Sequence, residues 1–359
     1  MLSLRKRLGL ELYRRFRKVE TATHPLRYLM WECTLRCNLA CRHCGSDCRR
    51  DARQKDMPLA DFLRVVDNIR PHVNPHRTMI VITGGEPLLR NDLEQCGHEL
   101  YRREFPWGMV TNGLALTPDR ARRLLGAGLR AATVSLDGLE PTHNAMRGNP
   151  QSFRSACNAI ALLSQPQHEL AFDVVTCVSA RTFHELPAVK KLLIDMGVRQ
   201  WRIFTIFPIG RAAQDKELQL PPTQLRQLFD FISDTRREGL IHASYGCEGF
   251  LGDYEGKVRD NFFFCRAGIN IGSVLADGSI SACPNLRANF IQGNIYKDDF
   301  MTVWNTRYEP FRNRAWAHTG ECAACKYFRY CEGNGMHLHD ENGGLLLCHW
   351  NKLKEASNF

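Results

Sequence analysis

Residues 28–44 read Tyr-Leu-Met-Trp-Glu-Cys-Thr-Leu-Arg-Cys-Asn-Leu-Ala-Cys-Arg-His-Cys, an apolar run followed by a loop with three cysteines. Five more β-rich runs follow and alternate with helical stretches up to about residue 208. This alternation predicts a mainly parallel α/β sheet whose ligands bind at the carboxyl ends of the strands. We expect strands at 28–32, 78–83, 108–111, 131–136, 171–177 and 202–207, and helices that include 59–70, 118–126, 152–163 and 185–196.

The first cysteine motif is Cys37-x3-Cys41-x2-Cys44. Three thiolates this close can converge on one side of a loop, and they supply all but one protein ligand of a [4Fe–4S] cluster. The remaining iron would then be open to a small molecule. A zinc site with His43 or Cys33 as fourth ligand is the alternative.

A second motif, Gly84-Gly85-Glu86-Pro87, ends the second expected strand. The glycines allow close approach of the backbone to a ligand, Glu86 offers a carboxylate, and Pro87 stiffens the exit. A simple tight turn is the other interpretation. The position of the motif, one βα unit after the cysteine loop, favours a ligand site.

Together the two motifs resemble the signature of the radical S-adenosylmethionine (SAM) enzymes, which is CxxxCxxC after the first strand and GGEP after the second. The resemblance implies a partial (β/α)6 barrel with a [4Fe–4S] cluster on Cys37, Cys41 and Cys44. Its open iron would bind SAM, which is cleaved to a 5′-deoxyadenosyl radical that abstracts hydrogen from a substrate.

Three further elements resemble this family: Thr111-Asn112-Gly113, the Ser135-Leu-Asp-Gly…Arg147 element, and the loop from Phe207 to Arg211. By resemblance, the GGEP segment, Asn112, Ser135 and Arg147 bind the cofactor. A guanidinium suits the carboxylate of SAM. A surface ion pair is the alternative for Arg147.

A second cysteine-rich region begins after about residue 246. Cys322, Cys325, Cys331 and Cys348 form a complete set of four thiolates, which suits zinc or a [4Fe–4S] cluster. The region also resembles the SPASM domain of many radical SAM enzymes, since Cys265-x12-Gly278-x4-Cys283 fits its first part. This resemblance implies that the four thiolates hold auxiliary cluster II.

One position departs from the SPASM pattern, because Gly335 stands where a cysteine completes auxiliary cluster I. Cys265 and Cys283 remain, and Cys247 is the expected third ligand. Such a site has an open iron or is completed by another group. A buried thiol with no ligand role is the alternative for Cys247.

We divide the chain into a basic N-terminal helix and linker (1–27), the partial barrel (28–225), a linker helix and loop (226–262) and a small Cys-rich SPASM domain (263–359). In the N-terminal segment, Leu4, Leu8, Leu12, Phe16 and Val19 recur at helical spacing. We expect this stripe to pack on the body. Docking of residues 1–19 on an anionic membrane or an acidic partner is the alternative.

The composition of the chain limits the classes of function that the sequence allows. The 15 cysteines, without a secretory signal, favour metal sites in a reducing cytoplasm over disulfides. The net charge is +10, and seven basic residues against one acidic residue in the first 18 positions account for +6. A zinc-bearing nucleic-acid-binding protein is therefore a remote alternative, because the charge is concentrated in one helix.

We expect an enzyme that modifies a peptide or protein side chain, with recognition by a separate protein or by the barrel rim, and with flavodoxin or ferredoxin as electron donor. A radical SAM reaction on a small molecule, in cofactor or tetrapyrrole biosynthesis, is the main enzymatic alternative.

Overall fold

The computed structural model describes residues 2–246 and 248–356. Within these residues, ten strands form one sheet in the order β10-β9-β8-β1-β2-β3-β4-β5-β6-β7. Strands β1 to β7 pair in parallel with their neighbours in sequence, as in a partial barrel. The strands are β1 (Tyr28–Thr34), β2 (Met79–Gly84), β3 (Trp107–Thr111), β4 (Leu129–Ser135), β5 (Ala171–Val178), β6 (Gln200–Thr205), β7 (His242–Tyr245), β8 (Ile271–Val274), β9 (Ser279–Ser281) and β10 (Gly293–Asn294).

Helices connect the parallel strands, and shorter ones follow in the C-terminal region. Their starts match local signals: Thr117 caps the N-terminus of α4 by accepting a hydrogen bond from the backbone N–H of Arg120, and Pro118 occupies the first turn. The helices are α1 (Leu4–Thr23), α2 (Leu59–Ile69), α3 (Leu93–Arg102), α4 (Pro118–Gly126), α5 (Glu140–Arg147), α6 (Ser152–Leu163), α7 (Leu186–Asp195), α8 (Pro222–Glu238), α9 (Phe300–Thr306), α10 (Glu309–Arg312), α11 (Phe328–Cys331) and α12 (His349–Glu355).

Apolar side chains fill the space between the sheet and its helices. Trp31 of β1 is fully buried and stacks on Phe62 of α2 with ring centroids 4.1 Å apart. Trp201 of β6 is also fully buried, and its indole N–H donates to the Thr176 hydroxyl at 2.8 Å. Burial of these large aromatic groups stabilises the sheet, and this fixes the loops at its carboxyl edge.

The six expected strands are present with ends shifted by at most two residues. A seventh parallel strand, β7, lies in the segment that we expected to be a linker, so that segment contributes to the sheet. The C-terminal region also continues the sheet, since β8 pairs in parallel with β1 from Tyr28 to Trp31. The division into domains at residues 225 and 263 is a proposal.

Helix α1 packs on the body through a different face from the expected one. Its buried residues are Leu10, Arg17 and Glu20, whereas the stripe of Leu4, Leu8, Leu12, Phe16 and Val19 is exposed. Our expectation that this stripe covers the body is wrong, because the other face packs on the body through Leu10 and through the charged side chains. Among the described residues, no helix has the length and apolar character that a membrane crossing requires.

Candidate active site

The loop after β1 brings three of the predicted ligands together. The side chains of Cys37, Cys41 and Cys48 form a buried cluster with Leu39, and Cys44 packs against it. Cys48 was not assigned a role from sequence, but its thiol hydrogen-bonds to Cys44. This hydrogen bond is the main cause that lowers the pKa of Cys44 to about 5.

Nitrogen donors face two of these sulfurs. The side-chain amide of Asn112 lies 3.9 Å from the Cys37 sulfur, and one guanidinium nitrogen of Arg147 lies 3.7 Å from the Cys41 sulfur. Donors of this kind stabilise thiolates in iron–sulfur sites. The three thiols of the motif and their surroundings therefore fit a [4Fe–4S] cluster.

Neither residue of the zinc alternative completes this set. Cys33 is fully buried in the main core, where burial raises the pKa of its thiol. The Nε2 of His43 lies 3.5 Å from a carboxylate oxygen of Asp137.

The glycines of the GGEP motif bring two loops into contact. A Cβ atom on Gly84 would lie 2.2 Å from the carbonyl oxygen of Thr34, and one on Gly85 would lie 2.1 Å from that of Arg36. The backbone N–H of Gly85 donates to the Thr34 carbonyl at 2.8 Å. The absent side chains thus let the β2 loop pack on the segment that leads into Cys37. Contact with a ligand is still a prediction for these glycines.

Glu86 connects the loops after β2 and β3. Its carboxylate is fully buried and accepts hydrogen bonds from the Leu88 N–H (3.1 Å), the Thr111 hydroxyl (2.8 Å) and the Asn112 N–H (2.8 Å). Burial raises the pKa of this carboxyl group. Both carboxylate oxygens of Glu86, the residue before Pro87, therefore have protein partners. In this structure Glu86 positions Asn112. Direct contact with the cofactor is a prediction.

Arg147 lies in the last turn of α5 and is 7% exposed, so the alternative of a surface ion pair is wrong. Its Nε donates to a carboxylate oxygen of Asp137 at 2.7 Å. Asp137 lies two residues after Ser135, which ends β4 and is also buried. Burial opposes the charge of Asp137, but Arg147, His43 and His143 hold the pKa of its carboxyl group well below the usual range.

Asp137 received no role from sequence, although it stands within the quoted Ser-Leu-Asp-Gly element. Its other oxygen accepts from the backbone N–H of Cys177 at 3.0 Å. It therefore fixes the guanidinium of Arg147 beside Cys41.

The loop after β6 closes the site from the opposite side. The Arg211 Nε donates to the carbonyl of Cys41 at 2.7 Å, and its backbone N–H donates to that of Cys44 at 3.1 Å. Gly210 has φ of +60°, and a Cβ there would lie 2.5 Å from the Cys44 carbonyl oxygen. The loop can pack this closely only with glycine at that position.

The four cysteines of the second set line one small cavity. Aromatic side chains of Phe250, Tyr327 and Trp350 complete its wall. Burial raises the pKa of the Cys331 thiol to about 12 and that of the Cys322 thiol to about 11, so both are protonated at neutral pH. Binding of a metal would release these protons. Glu321 also lines the cavity, but the four convergent thiols by themselves make a complete ligand set for a cluster. The thiols are those of Cys322, Cys325, Cys331 and Cys348.

The cysteines that we predicted for auxiliary cluster I form an incomplete set of ligands in the described part of the chain. The Cys265 sulfur accepts a hydrogen bond from the backbone N–H of Met336 at 3.4 Å, and Cys283 is half-buried. A Cβ on Gly335 would lie 2.8 Å from both the Glu248 carbonyl oxygen and the ring of His337. A cysteine at residue 335 would therefore need these neighbours to move. The predicted third ligand, Cys247, lies outside the described residues.

Two family descriptions match the chain: the Radical SAM superfamily over residues 31–192 and the SPASM iron-sulfur cluster-binding domain over residues 265–326. The chain is 25% identical to the AdoMet-dependent heme synthase of Nitratidesulfovibrio vulgaris, over 91% of this chain and 92% of that protein. It is 24% identical to the Fe-coproporphyrin III synthase of Methanosarcina barkeri (85% and 82%). It is 31% identical to the mycofactocin maturase MftC of Mycolicibacterium smegmatis (86% and 77%).

Solved structures agree in fold. Native anSMEcpe with bound AdoMet superposes with a TM-score of 0.70 at 19% identity, over 93% of this chain and 97% of that chain. Streptococcus suis SuiB bound to S-adenosylmethionine gives 0.69 at 16% identity (89% and 76%).

The chain therefore belongs to the radical SAM superfamily and carries a SPASM domain. It is an enzyme that uses [4Fe–4S] clusters and SAM, which excludes the zinc-bearing nucleic-acid-binding alternative.

The expectation of a peptide or protein substrate is wrong. Relatives that match over most of both chains include three AdoMet-dependent heme synthases, an Fe-coproporphyrin III synthase and a pre-heme d1 synthase. These names point to tetrapyrroles, the class that we had kept as the alternative.

Proposed function

We propose that this radical SAM/SPASM enzyme abstracts hydrogen from an iron tetrapyrrole in the biosynthesis of a heme-type cofactor. The observation that carries the proposal is the set of heme-related relatives, whose similarity extends across both cysteine regions. When bound, the first cluster and SAM supply the 5′-deoxyadenosyl radical, with an electron from a donor such as flavodoxin or ferredoxin.

The residues around Cys41 suit the task of holding SAM in a dry site. Asp137 fixes the guanidinium of Arg147, and Arg211 ties the loop after β6 to the cysteine loop. A buried guanidinium whose orientation is fixed can bind the carboxylate of SAM with little loss of side-chain entropy. The protein side chains thereby orient the cofactor and exclude water.

The ring of Phe207 joins the first cysteine loop to the region that we expect to be the SPASM domain. The Phe207 ring would lie 3.5 Å from a Cβ on Gly45, the residue after Cys44. On its other side, the ring of His337 is centred 4.7 Å from that of Phe207. His337 thus belongs to the SPASM region and reaches the mouth of the barrel.

His337 is suited to bind the iron of a tetrapyrrole. Its Nε2 is buried and has no hydrogen-bond partner within the described residues. Burial lowers the pKa of His337 to about 4, so its imidazole is neutral at physiological pH and can offer a nitrogen lone pair. Neutral imidazole is a common axial ligand of heme iron. We infer that His337 binds the substrate iron next to the Phe207 ring.

The proposed function is tested by anaerobic reaction of the reconstituted enzyme with SAM, a reductant and a panel of tetrapyrroles. The panel holds iron coproporphyrin III, an iron isobacteriochlorin and the metal-free form of each. We expect at least one iron compound to raise 5′-deoxyadenosine formation and to change in mass. If no member changes in mass and 5′-deoxyadenosine stays at its level without substrate, the proposal is wrong.

Replacement of His337 with alanine should weaken binding of the iron tetrapyrrole by about tenfold or more, because the iron loses its protein ligand. A factor of ten in affinity corresponds to about 1.4 kcal/mol. The measurement is a titration followed by the Soret band and by electron paramagnetic resonance, which report the axial ligand. His318→Ala, at an exposed histidine of the same region, is the control. Unchanged spectra of the bound iron in His337→Ala would contradict the assignment.

Replacement of Cys331 with alanine should remove about four iron atoms per chain, because the cluster loses one of its thiolate ligands. The first cysteine loop is untouched, so cleavage of SAM should persist while formation of tetrapyrrole product is lost. Iron and sulfide analysis and product assays measure the two effects. Cys157→Ala, at a half-buried cysteine of α6, should keep both iron and product. Full product formation by Cys331→Ala would refute the role of this cluster.

A further inference from the structure

Helix α1 carries an apolar stripe that faces solvent. Five of the ten large apolar side chains that are exposed in the described part of the chain lie on this one helix. Their spacing of four, four, four and three residues places them on one side of a helix. The exposed fractions are 75% for Leu4, 60% for Leu8, 66% for Leu12, 48% for Phe16 and 61% for Val19.

Specific contacts hold the opposite side of α1 against the body. Arg17 is 4% exposed, and its guanidinium contacts the Glu332 carboxylate and the Tyr330 carbonyl. The Lys6 ammonium donates to the carbonyl oxygen of Asp253 at 2.8 Å. A helix that only covers a core turns its apolar side inward. Here the side that packs on the body holds Leu10 together with charged residues, whereas the five-residue apolar stripe faces solvent.

Basic side chains accompany the stripe. Arg5, Arg7, Arg15 and Lys18 are exposed on the same helix. At 100° per residue, Arg5 and Arg15 fall within the arc of the stripe, and Arg7 and Lys18 flank it. The helix has two carboxylates, and both have partners. The solvent-facing side of α1 therefore combines an apolar stripe with positive charge.

We propose that α1 docks the enzyme on the surface of an anionic lipid bilayer. The apolar stripe would enter the boundary between headgroups and acyl chains, and the basic side chains would contact lipid phosphates, each worth about 1 kcal/mol near such a surface. A second copy of the chain fits this surface less well, because pairing two such helices brings their basic side chains together. The proposal does not depend on the identity of the substrate.

The test is flotation of the full-length reconstituted protein with vesicles. We expect binding to vesicles of phosphatidylglycerol and phosphatidylcholine, little binding to phosphatidylcholine alone, and weaker binding at high salt. The double variant Leu8→Asp/Leu12→Asp should bind at least about tenfold more weakly, since two apolar side chains of the stripe no longer enter the bilayer. Its formation of 5′-deoxyadenosine without vesicles should equal that of the wild type.

Two further variants make the test specific. Leu240→Asp changes a leucine that is 68% exposed outside α1, and it should bind vesicles like the wild type. Arg5→Gln/Arg15→Gln should lose the preference for phosphatidylglycerol. Failure of the wild type to bind the anionic vesicles would overturn the proposal, as would wild-type binding by either double variant. Self-association that the leucine variant abolishes would overturn it in favour of a second copy.

Discussion

The variant Cys37→Ala is expected to form no more 5′-deoxyadenosine than a reaction without enzyme. Cys37 belongs to the buried group of thiols after β1, and two thiolates do not suffice to hold the cluster that receives SAM. The measurement is chromatography of anaerobic reactions with a chemical reductant. Iron content should fall by about four atoms per chain. We choose Cys37 rather than Cys44 because the Cys48 thiol interacts with Cys44, which would complicate the interpretation of a Cys44 variant.

A matched control is available for this prediction. Cys96 of α3 is equally deep in the protein, and burial raises the pKa of its thiol to about 12, but it lies in the main core. Cys96→Ala should keep its iron and its cleavage activity, at a cost of about 1 kcal/mol in stability from the small cavity. Cleavage by Cys37→Ala, or equal loss of iron in both variants, would show that the ligand assignment is wrong.

The variant Gly85→Ala is expected to lower the stability of the protein and to disrupt the candidate site. The added Cβ would lie 2.1 Å from the carbonyl oxygen of Arg36 and 3.0 Å from that of Leu35. Both are backbone atoms, so relief requires the two loops to separate. We expect a loss of about 3 kcal/mol in the free energy of unfolding, together with loss of the cluster. Urea unfolding and iron analysis measure the two effects.

Gly126→Ala provides the control for that substitution. Gly126 ends α4, and a Cβ there has no neighbour within 4 Å. The change should leave stability unaltered or raise it by up to about 1 kcal/mol. If Gly85→Ala unfolds and loads iron like Gly126→Ala, close packing of the loops is not what the glycine motif provides.

The barrel could be predicted from sequence because its signals are local. Apolar runs mark the buried strands, and pairs such as Thr117-Pro118 mark the starts of helices. Strand β7 was missed because its four residues are too few for their alternation of polar and apolar side chains to stand out, and pairing with β6 decides their structure. The orientation of α1 was also missed, since periodicity reveals a stripe but not the side it faces. The contact between Arg17 and Glu332, 315 residues apart, decides that.

The residues of the candidate site also fall into two groups: those that a sequence motif indicates and those that only the fold brings to the site. Motif spacing indicated Cys37, Arg147 and the second set of thiols, because each motif is short. Asp137 and His337 acquire their surroundings only in the fold, from contacts between separate loops. The substrate class was wrong for a related reason: the motifs specify radical chemistry, whereas we propose that substrate recognition falls to residues outside them, such as His337.

The pairing of β8 with β1 makes the SPASM region part of the architecture of the barrel. A chain cut before residue 263 would leave the outer edge of β1 without a partner, and an apolar strand with free N–H and C=O groups invites aggregation. The same hydrogen bonds hold β8 against β1, the strand that leads into the first cysteine loop, so the barrel and the start of the SPASM region share one hydrogen-bonded sheet.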